Sequence, residues 1–301
     1  MRAIPMRQNA LGLLLPGGLL IGLAVVIAAQ TIPLNLPVSA VASIAPGTVI
    51  VPAHAFSYRA AGDFQRGKSA IDGPLIAAPA GETLEIMTFE VSAADYARCV
   101  ADDACDKAEP RRHGTGNVPV TGVSFDDAGR YAAWLSAETG ETWRLPTVAE
   151  WVFAAGSKAV DPALGVETDA DNPADRWLAL YDLDSARAAA SLATPQPLGS
   201  TGVNEFGVAD LAGAVWEWTA TCGGRTTLDA AGQTVSHLDS CGVRYVEGGH
   251  RAAMSHFIRD AQGGGCSTGA PPDNLGFRLV REPGWIERVM SGLGRVFARR
   301  A

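Results

Sequence analysis

The chain has 301 residues, of which 47% are hydrophobic and 19% are charged, so it can bury a real core and wholesale disorder is excluded. Its 24 Lys and Arg residues stand against 32 Asp and Glu residues, a net charge of −8. Because nucleic-acid binding requires clustered cations on the protein, this balance argues against a nucleic-acid-binding domain.

Residues 1–30 have the features of a targeting segment. Arg2 and Arg7 precede residues 10–29, which are all uncharged. This stretch is long enough to cross a bilayer as a helix or to form the core of a signal peptide, and both interpretations stay open. Either one predicts that the rest of the chain is periplasmic, anchored to the membrane or released.

The next residues predict a linker followed by one domain. Residues 31–60 are rich in Pro, Ala and Val, as linkers often are. From residue 61 to residue 282, short apolar runs alternate with long loops rich in Gly, Asp and Asn. Since strands and helices do not alternate regularly, the pattern argues against a doubly wound parallel sheet and favours an irregular α+β fold.

Three helices are predicted within this domain by the residues that begin them. Ser92, Ser124 and Thr147 each precede an apolar periodic segment, and their hydroxyls can accept a hydrogen bond from the first helical turn. Gly140 and Gly156 are the predicted ends of the second and third helices. The third begins with a Thr-x-x-Glu capping box.

Four of the five cysteines predict two disulfides. Cys99 and Cys105 flank a short acidic turn, and Cys222 and Cys241 flank a loop rich in Gly, Thr and Asp. Each pair can close a small loop in an oxidising compartment, which leaves Cys266 over, although other pairings of five cysteines stay open.

The C-terminal residues 283–301 predict an amphipathic helix. Apolar residues from Trp285 to Phe297 recur at helical spacing, with arginines elsewhere on the wheel. Such a helix can lie on an anionic membrane surface or dock on a partner. Packing on its own domain is the remaining alternative.

Four separated motifs together resemble the formylglycine-generating enzyme, or sulfatase-modifying factor, domain family. The first covers residues 118–151 with VPVTGVSFDDA and WRLPTxAEW, and the second is NxFGVxDLxGxVWEWT at residues 204–219. The third is the glycine pair at residues 248–249, and the fourth is NLGFR at residues 274–278. The resemblance implies an irregular C-type-lectin-like variant of the α+β class with little regular secondary structure.

The second motif contains a candidate calcium site. Asp210 and Glu217 bracket Gly213, so side-chain and backbone oxygens can converge on one hard cation. The resemblance implies that calcium is bound through the positions of Asp210, Gly213, Val215 and Glu217. The alternative is that Glu217 pairs with an arginine and the adjacent tryptophans belong to the core.

The third motif lacks the copper ligands of the oxidases in this family. In those enzymes two cysteines after the glycine pair bind copper(I), which requires soft thiolates. Ala253 and Ile258 occupy the matching positions, so we expect neither copper nor formylglycine-generating activity and assign no catalytic residue. A functional surface is predicted around the residues His250, Arg251, His256, Arg259 and Cys266.

Residues 243–251 and 257–278 resemble a bacterial subgroup of nitrite reductase accessory proteins. This narrower resemblance implies an accessory or maturation protein for another periplasmic enzyme, a nitrite reductase of denitrification, with membrane contact through the N-terminal segment and the C-terminal helix. The alternative is an oxidoreductase that modifies a protein or a small molecule through an unrecognised metal site.

Overall fold

A computed structural model describes residues 45–110, 114–165, 172, 174–176, 178, 179, 181, 182, 196–213, 215–259 and 274–284. The predicted targeting segment, Cys266 and all but the first two residues of the predicted C-terminal helix lie outside these ranges. Within them, no helix combines the length and the apolar character that a membrane span requires.

The described strands form three sheets. The first is antiparallel and has the order β1 (Thr48–Val51), β6 (Leu84–Met87), β12 (Val280–Glu282) and β7 (Thr142–Arg144). A separate antiparallel pair consists of β2 (Phe56–Arg59) and β5 (Leu75–Ala78).

The largest sheet has the order β10 (Ala252–Met254), β9 (Thr234–Glu247), β8 (Trp216–Leu228), β3 (Asp63–Arg66) and β4 (Ser69–Ile71). The long strand β8 pairs along its length with β9, and irregularities interrupt that pairing near Cys222 and Thr227. Its first residues also pair in parallel with β11 (Leu275–Gly276), and its last four pair in parallel with β3. Strand β8 therefore brings the second and fourth sequence motifs together.

The prediction of a linker at residues 31–60 is wrong for the second half of that range. Strand β1 pairs with β6 and strand β2 with β5, so residues 48–51 and 56–59 belong to the sheets of the domain. In β1, buried and exposed side chains alternate, with Val51 buried and Ile50 exposed. The prolines and alanines around the two short strands make this alternation hard to recognise in the sequence. Composition alone cannot distinguish such short strands from a linker.

The three predicted helices are confirmed as α1 (Ala93–Ala101), α2 (Phe125–Thr139) and α3 (Val148–Ala155). Ser92, Ser124 and Thr147 are their N-caps, and each accepts a hydrogen bond from the backbone of the third helical residue. Gly140 ends α2 in the left-handed conformation, with φ 70°. Local hydrogen bonding thus fixes these helix ends in the way that the sequence indicates.

Two hydrophobic clusters form the core. The larger packs α1 and α2 against the second and fourth motifs and includes Tyr96, Tyr131, Trp218 and Phe277, and the smaller surrounds Trp151 of α3. Helices α1–α3 together with twelve mostly short strands among the described residues confirm the α+β prediction.

Both predicted disulfides are present. Cys99 of α1 bonds to Cys105, and Cys222 of β8 bonds to Cys241 of β9. The first closes the turn after α1, and the second ties the two long strands together beside the irregularity in their pairing.

Candidate functional site

An arginine lies at the centre of the second and fourth motifs. Arg278 is fully buried, and its guanidinium binds Glu217 through two hydrogen bonds, Nε to Oε2 at 2.5 Å and Nη2 to Oε1 at 2.8 Å. Trp151 adds a third donor to the Glu217 carboxylate at 3.1 Å. The arginine pairing that the sequence left open for Glu217 is therefore the arrangement in the structure.

Further oxygens surround the same guanidinium. It donates to the carbonyls of Thr88 at 3.2 Å and Ala209 at 3.0 Å, and a carboxylate oxygen of Glu90 lies 3.5 Å from Nη2. Burial disfavours the charged guanidinium, but Glu217 and Glu90 outweigh burial and raise the pKa of Arg278. Arg278 is thus the cation that holds this acidic centre together.

Glu90 is the surplus acid of the centre. It is 3% exposed, and its Oε2 accepts no hydrogen bond from any described residue. Burial, reinforced by Glu217 and only partly opposed by Arg278, raises the pKa of Glu90 to about 8. With Arg278 already neutralised by Glu217, the second carboxyl is held as the protonated acid.

Asp210 is used by a turn. Its φ is +57°, in the left-handed region, and its Oδ1 accepts from the backbone N–H and the hydroxyl of Thr201, both at 2.9 Å. Its Oδ2 accepts from the Gly199 backbone N–H. The carboxylate therefore orders residues 199–213.

As arranged, these residues do not fit a calcium ion. Calcium takes six to eight oxygen ligands, but the Glu217 carboxylate binds Arg278 and Trp151, and the Asp210 carboxylate binds its own turn. A guanidinium at the centre would also repel a second cation. Among the described residues, no group of three or more His, Cys, Asp or Glu side chains is placed to hold a metal.

Calcium is accordingly expected to leave the melting temperature of the protein unchanged. A ligand bound only by the native state at one hundred times its Kd would add about 2.7 kcal/mol, so differential scanning calorimetry in millimolar calcium and in chelator detects even a weak site. Asp229→Asn, which changes a carboxylate in the β8–β9 turn, is the matched control for Asp210→Asn. A rise in melting temperature that Asp210→Asn abolishes and Asp229→Asn does not would show that calcium binds at Asp210.

A second buried ion pair flanks the third motif. Arg251 Nε donates to Glu247 Oε1 at 2.6 Å, with the two side chains 6% and 4% exposed. Burial raises the pKa of Glu247 to about 7, against the opposing effect of Arg251. Gly248 lies between Glu247 and Arg251 in the sequence. A Cβ atom at Gly248 would meet Trp216 Cδ1 at 2.5 Å, so close packing requires glycine at this position.

The positions of the family's two cysteines diverge in their surroundings. Ala253 is exposed in β10, whereas Ile258 is partly buried against the larger hydrophobic cluster. The Ile258 carbonyl accepts from the Asp126 backbone N–H at the start of α2. Neither residue offers a thiolate, so copper(I) does not fit here either.

A cavity of about 920 Å³ adjoins Ala253. Strands β3 and β4, Arg225 of β8, Tyr245 of β9, and Arg251 and Ala253 contribute to its walls. The charged side chains among its described lining residues are Arg59, Asp63, Lys68, Asp72, Arg176, Arg225 and Arg251.

The structure separates the other residues of the predicted functional surface. Of the four residues of this surface that the structure describes, only Arg251 lines the cavity. His250 is 8% exposed and packs edge-on against Trp216 at 4.8 Å. His256 and Arg259 are exposed, and Cys266 lies outside the described residues.

Sequence reasoning missed Glu90, Glu247 and the cationic wall of the cavity. The wall combines cations that are far apart along the chain, among them Arg59 of the predicted linker, Lys68 of the β3–β4 turn and Arg225 of β8. The sequence shows these cations only as basic residues at the ends of short apolar runs, as at Arg59. Such residues are usually solvated, so they do not indicate a binding site.

Known proteins resemble this chain in sequence and in structure. The family model for the "Sulfatase-modifying factor enzyme 1-like domain" matches residues 36–283. The chain is 32% identical over 170 residues to "Inactive C-alpha-formylglycine-generating enzyme 2" of Mus musculus, which covers 56% of this chain and 50% of that protein. It is 30% identical over 189 residues to "Formylglycine-generating enzyme" of Mycobacterium tuberculosis, covering 55% of this chain and 58% of that protein.

The chain therefore spans about half the length of the curated relatives that it matches. Among solved structures, PvdO from Pseudomonas aeruginosa aligns with a TM-score of 0.52 at 22% identity, covering 80% of this chain and 96% of that one. At this level of identity the likeness supports the fold.

Proposed function

The chain belongs to the sulfatase-modifying factor enzyme 1-like domain family, and from this premise we propose that it is a non-oxidase member that binds another exported protein and assists its maturation. One observation carries the proposal. Ala253, which replaces the first copper-binding cysteine of the oxidases, is exposed beside a large cavity. The chain has a cavity for a ligand, and none of the described residues that line it offers a thiolate.

The surrounding structure supports a binding role. The Cys222–Cys241 disulfide ties β8 to β9, and the buried Arg251–Glu247 pair fixes Arg251 in the cavity wall. Pre-ordered walls reduce the entropy lost when a ligand binds. The mouse relative is named as an inactive formylglycine-generating enzyme, so a non-oxidase role has a parallel among the similar proteins.

The proposed partner is a periplasmic nitrite reductase. This part of the proposal rests on the resemblance of residues 243–251 and 257–278 to nitrite reductase accessory proteins. It requires export of the domain by residues 1–30, and it leaves residues 283–301 to contact the membrane or the partner.

One arm of the test addresses chemistry. The full chain, supplied with copper and oxygen, is expected to leave the cysteine of a sulfatase-motif peptide unchanged, because Ala253 and Ile258 cannot bind copper(I). Mass spectrometry of the peptide is the measurement, and the Mycobacterium tuberculosis enzyme is the positive control. Conversion of the thiol to an aldehyde would overturn the non-oxidase assignment.

The other arm addresses the partner. Deleting the gene in its own organism is expected to lower exported nitrite reductase activity per molecule of enzyme, while the amount of enzyme is followed by immunoblot. The intact gene should restore activity, and a gene lacking the export segment should not. Unchanged specific activity in the deletion strain would reject nitrite reductase as the partner.

A further inference from the structure

We propose that the cavity binds an acidic peptide segment of the partner, whose carboxylates pair with Arg225, Lys68 and Arg251. This inference rests on the proposed function, because it assumes that the ligand is part of another protein. It adds the chemistry by which that segment is recognised.

Arg251 is a fixed cation in the cavity wall. Its Nε donates to Glu247 at 2.6 Å, and its Nη1 donates to the carbonyl of Arg59 at 2.8 Å. No described residue accepts from Nη2, although Arg251 lines the cavity. An immobilised guanidinium with a spare donor is well suited to a carboxylate, since little side-chain entropy remains to be lost.

Lys68 and Arg225 supply charge that the cavity does not neutralise. Lys68 lies in the turn between β3 and β4, and Arg225 of β8 lies opposite Asp63 in the parallel pairing with β3. Neither cation has an ion-pair partner among the described residues. Both are exposed and line the cavity, so they are available to a ligand.

The other cations of the wall are already paired. Arg59 binds Asp161 at 2.9 Å, and Arg176 binds Asp72 at 2.6 Å. Glu247 pairs with Arg251. Among the described acidic residues of the wall, this leaves Asp63 to offset the two charges of Lys68 and Arg225. The cavity thus carries excess positive charge in a chain whose net charge is −8. Since the whole molecule repels anions, an anion that binds must be recognised by this local group.

Size and polarity favour a peptide. About 920 Å³ is near the upper end of the range for small-ligand sites, which is room for several residues. Phe64 and Ile71 add apolar surface to the wall, suited to an apolar residue beside the acidic ones. Asp63 and Asp72 would repel a densely charged polyphosphate more strongly than single carboxylates.

The test measures binding of a short, capped, fluorescein-labelled peptide rich in Asp and Glu to the full chain, by fluorescence anisotropy. A matched peptide with Asn and Gln at the same positions is expected to bind at least about tenfold more weakly. Lys68→Gln/Arg225→Gln is expected to reduce affinity for the acidic peptide by a similar factor, a loss of about 1.4 kcal/mol. Arg66→Gln/Lys158→Gln, which removes two exposed cations outside the cavity lining, should leave the affinity unchanged.

Equal binding of the two peptides, or unchanged affinity in the Lys68/Arg225 variant, would overturn the inference. So would inorganic phosphate that displaces the peptide at concentrations where free glutarate does not. If the acidic peptide binds as expected but deleting the gene leaves nitrite reductase activity intact, the cavity chemistry stands and the proposed function fails. If activity depends on the gene while the peptide does not bind, the function stands and this inference fails.

Discussion

Arg278→Met is expected to lower the free energy of unfolding by about 3–5 kcal/mol, the usual effect of breaking a buried ion pair. The substitution leaves the Glu217 carboxylate fully buried with Trp151 as its remaining described side-chain donor. It also removes the donor to the carbonyls of Thr88 and Ala209. Urea unfolding with the disulfides intact measures the change.

Two further variants separate the ion pair from ordinary packing. Arg278→Met/Glu217→Leu removes both charges, so it should be more stable than Arg278→Met alone. Arg98→Met breaks a half-exposed pair with Asp95 and should change stability by at most about 1 kcal/mol. If Arg278→Met is no more harmful than Arg98→Met, Arg278 does not organise the centre.

The parts of the fold that could be predicted from sequence depend on neighbours in the chain. The Ser124 and Thr147 caps bond to residues three positions away, and the Cys99–Cys105 disulfide closes over a separation of six. Such interactions leave a pattern that a single sequence displays. The four motifs likewise identified the family, because their order and spacing can be seen in the sequence without knowledge of the contacts.

The centre and the cavity could not be predicted in the same way, because they depend on long-range packing. Glu217 and Arg278 are 61 residues apart, and Arg251 contacts the Arg59 carbonyl across 192 residues. The sequence displayed the acidic spacing around Gly213 but not the guanidinium that neutralises it. Carboxylates spaced for a cation therefore suggested calcium, while folding brings in an arginine from the fourth motif.

The same centre makes stability depend on pH through Glu90. Its carboxyl has an ordinary pKa of 4.5 when unfolded, and burial raises the pKa to about 8 in the folded protein. Below pH 4.5 both states hold the proton, so the folded state is not penalised. Between pH 4.5 and pH 8 only the folded state keeps it, and stability falls as pH rises. At about 1.4 kcal/mol per pH unit, the loss is on the order of 3–5 kcal/mol.

Glu90→Gln is therefore expected to stabilise the protein at pH 8 relative to wild type and to flatten the decline between pH 7 and pH 8. The amide is neutral at every pH in this window, so it carries no cost of ionising a buried group. Urea unfolding at intervals from pH 5 to pH 8.5 is the measurement.

Glu247, whose pKa burial raises to about 7, should still give the variant a decline in stability in the lower part of the pH range. Glu138→Gln, on the exposed face of α2, should reproduce the wild-type profile. A variant less stable than wild type at pH 8 would show that Glu90 is ionised beside Arg278, and that the guanidinium is shared between two carboxylates.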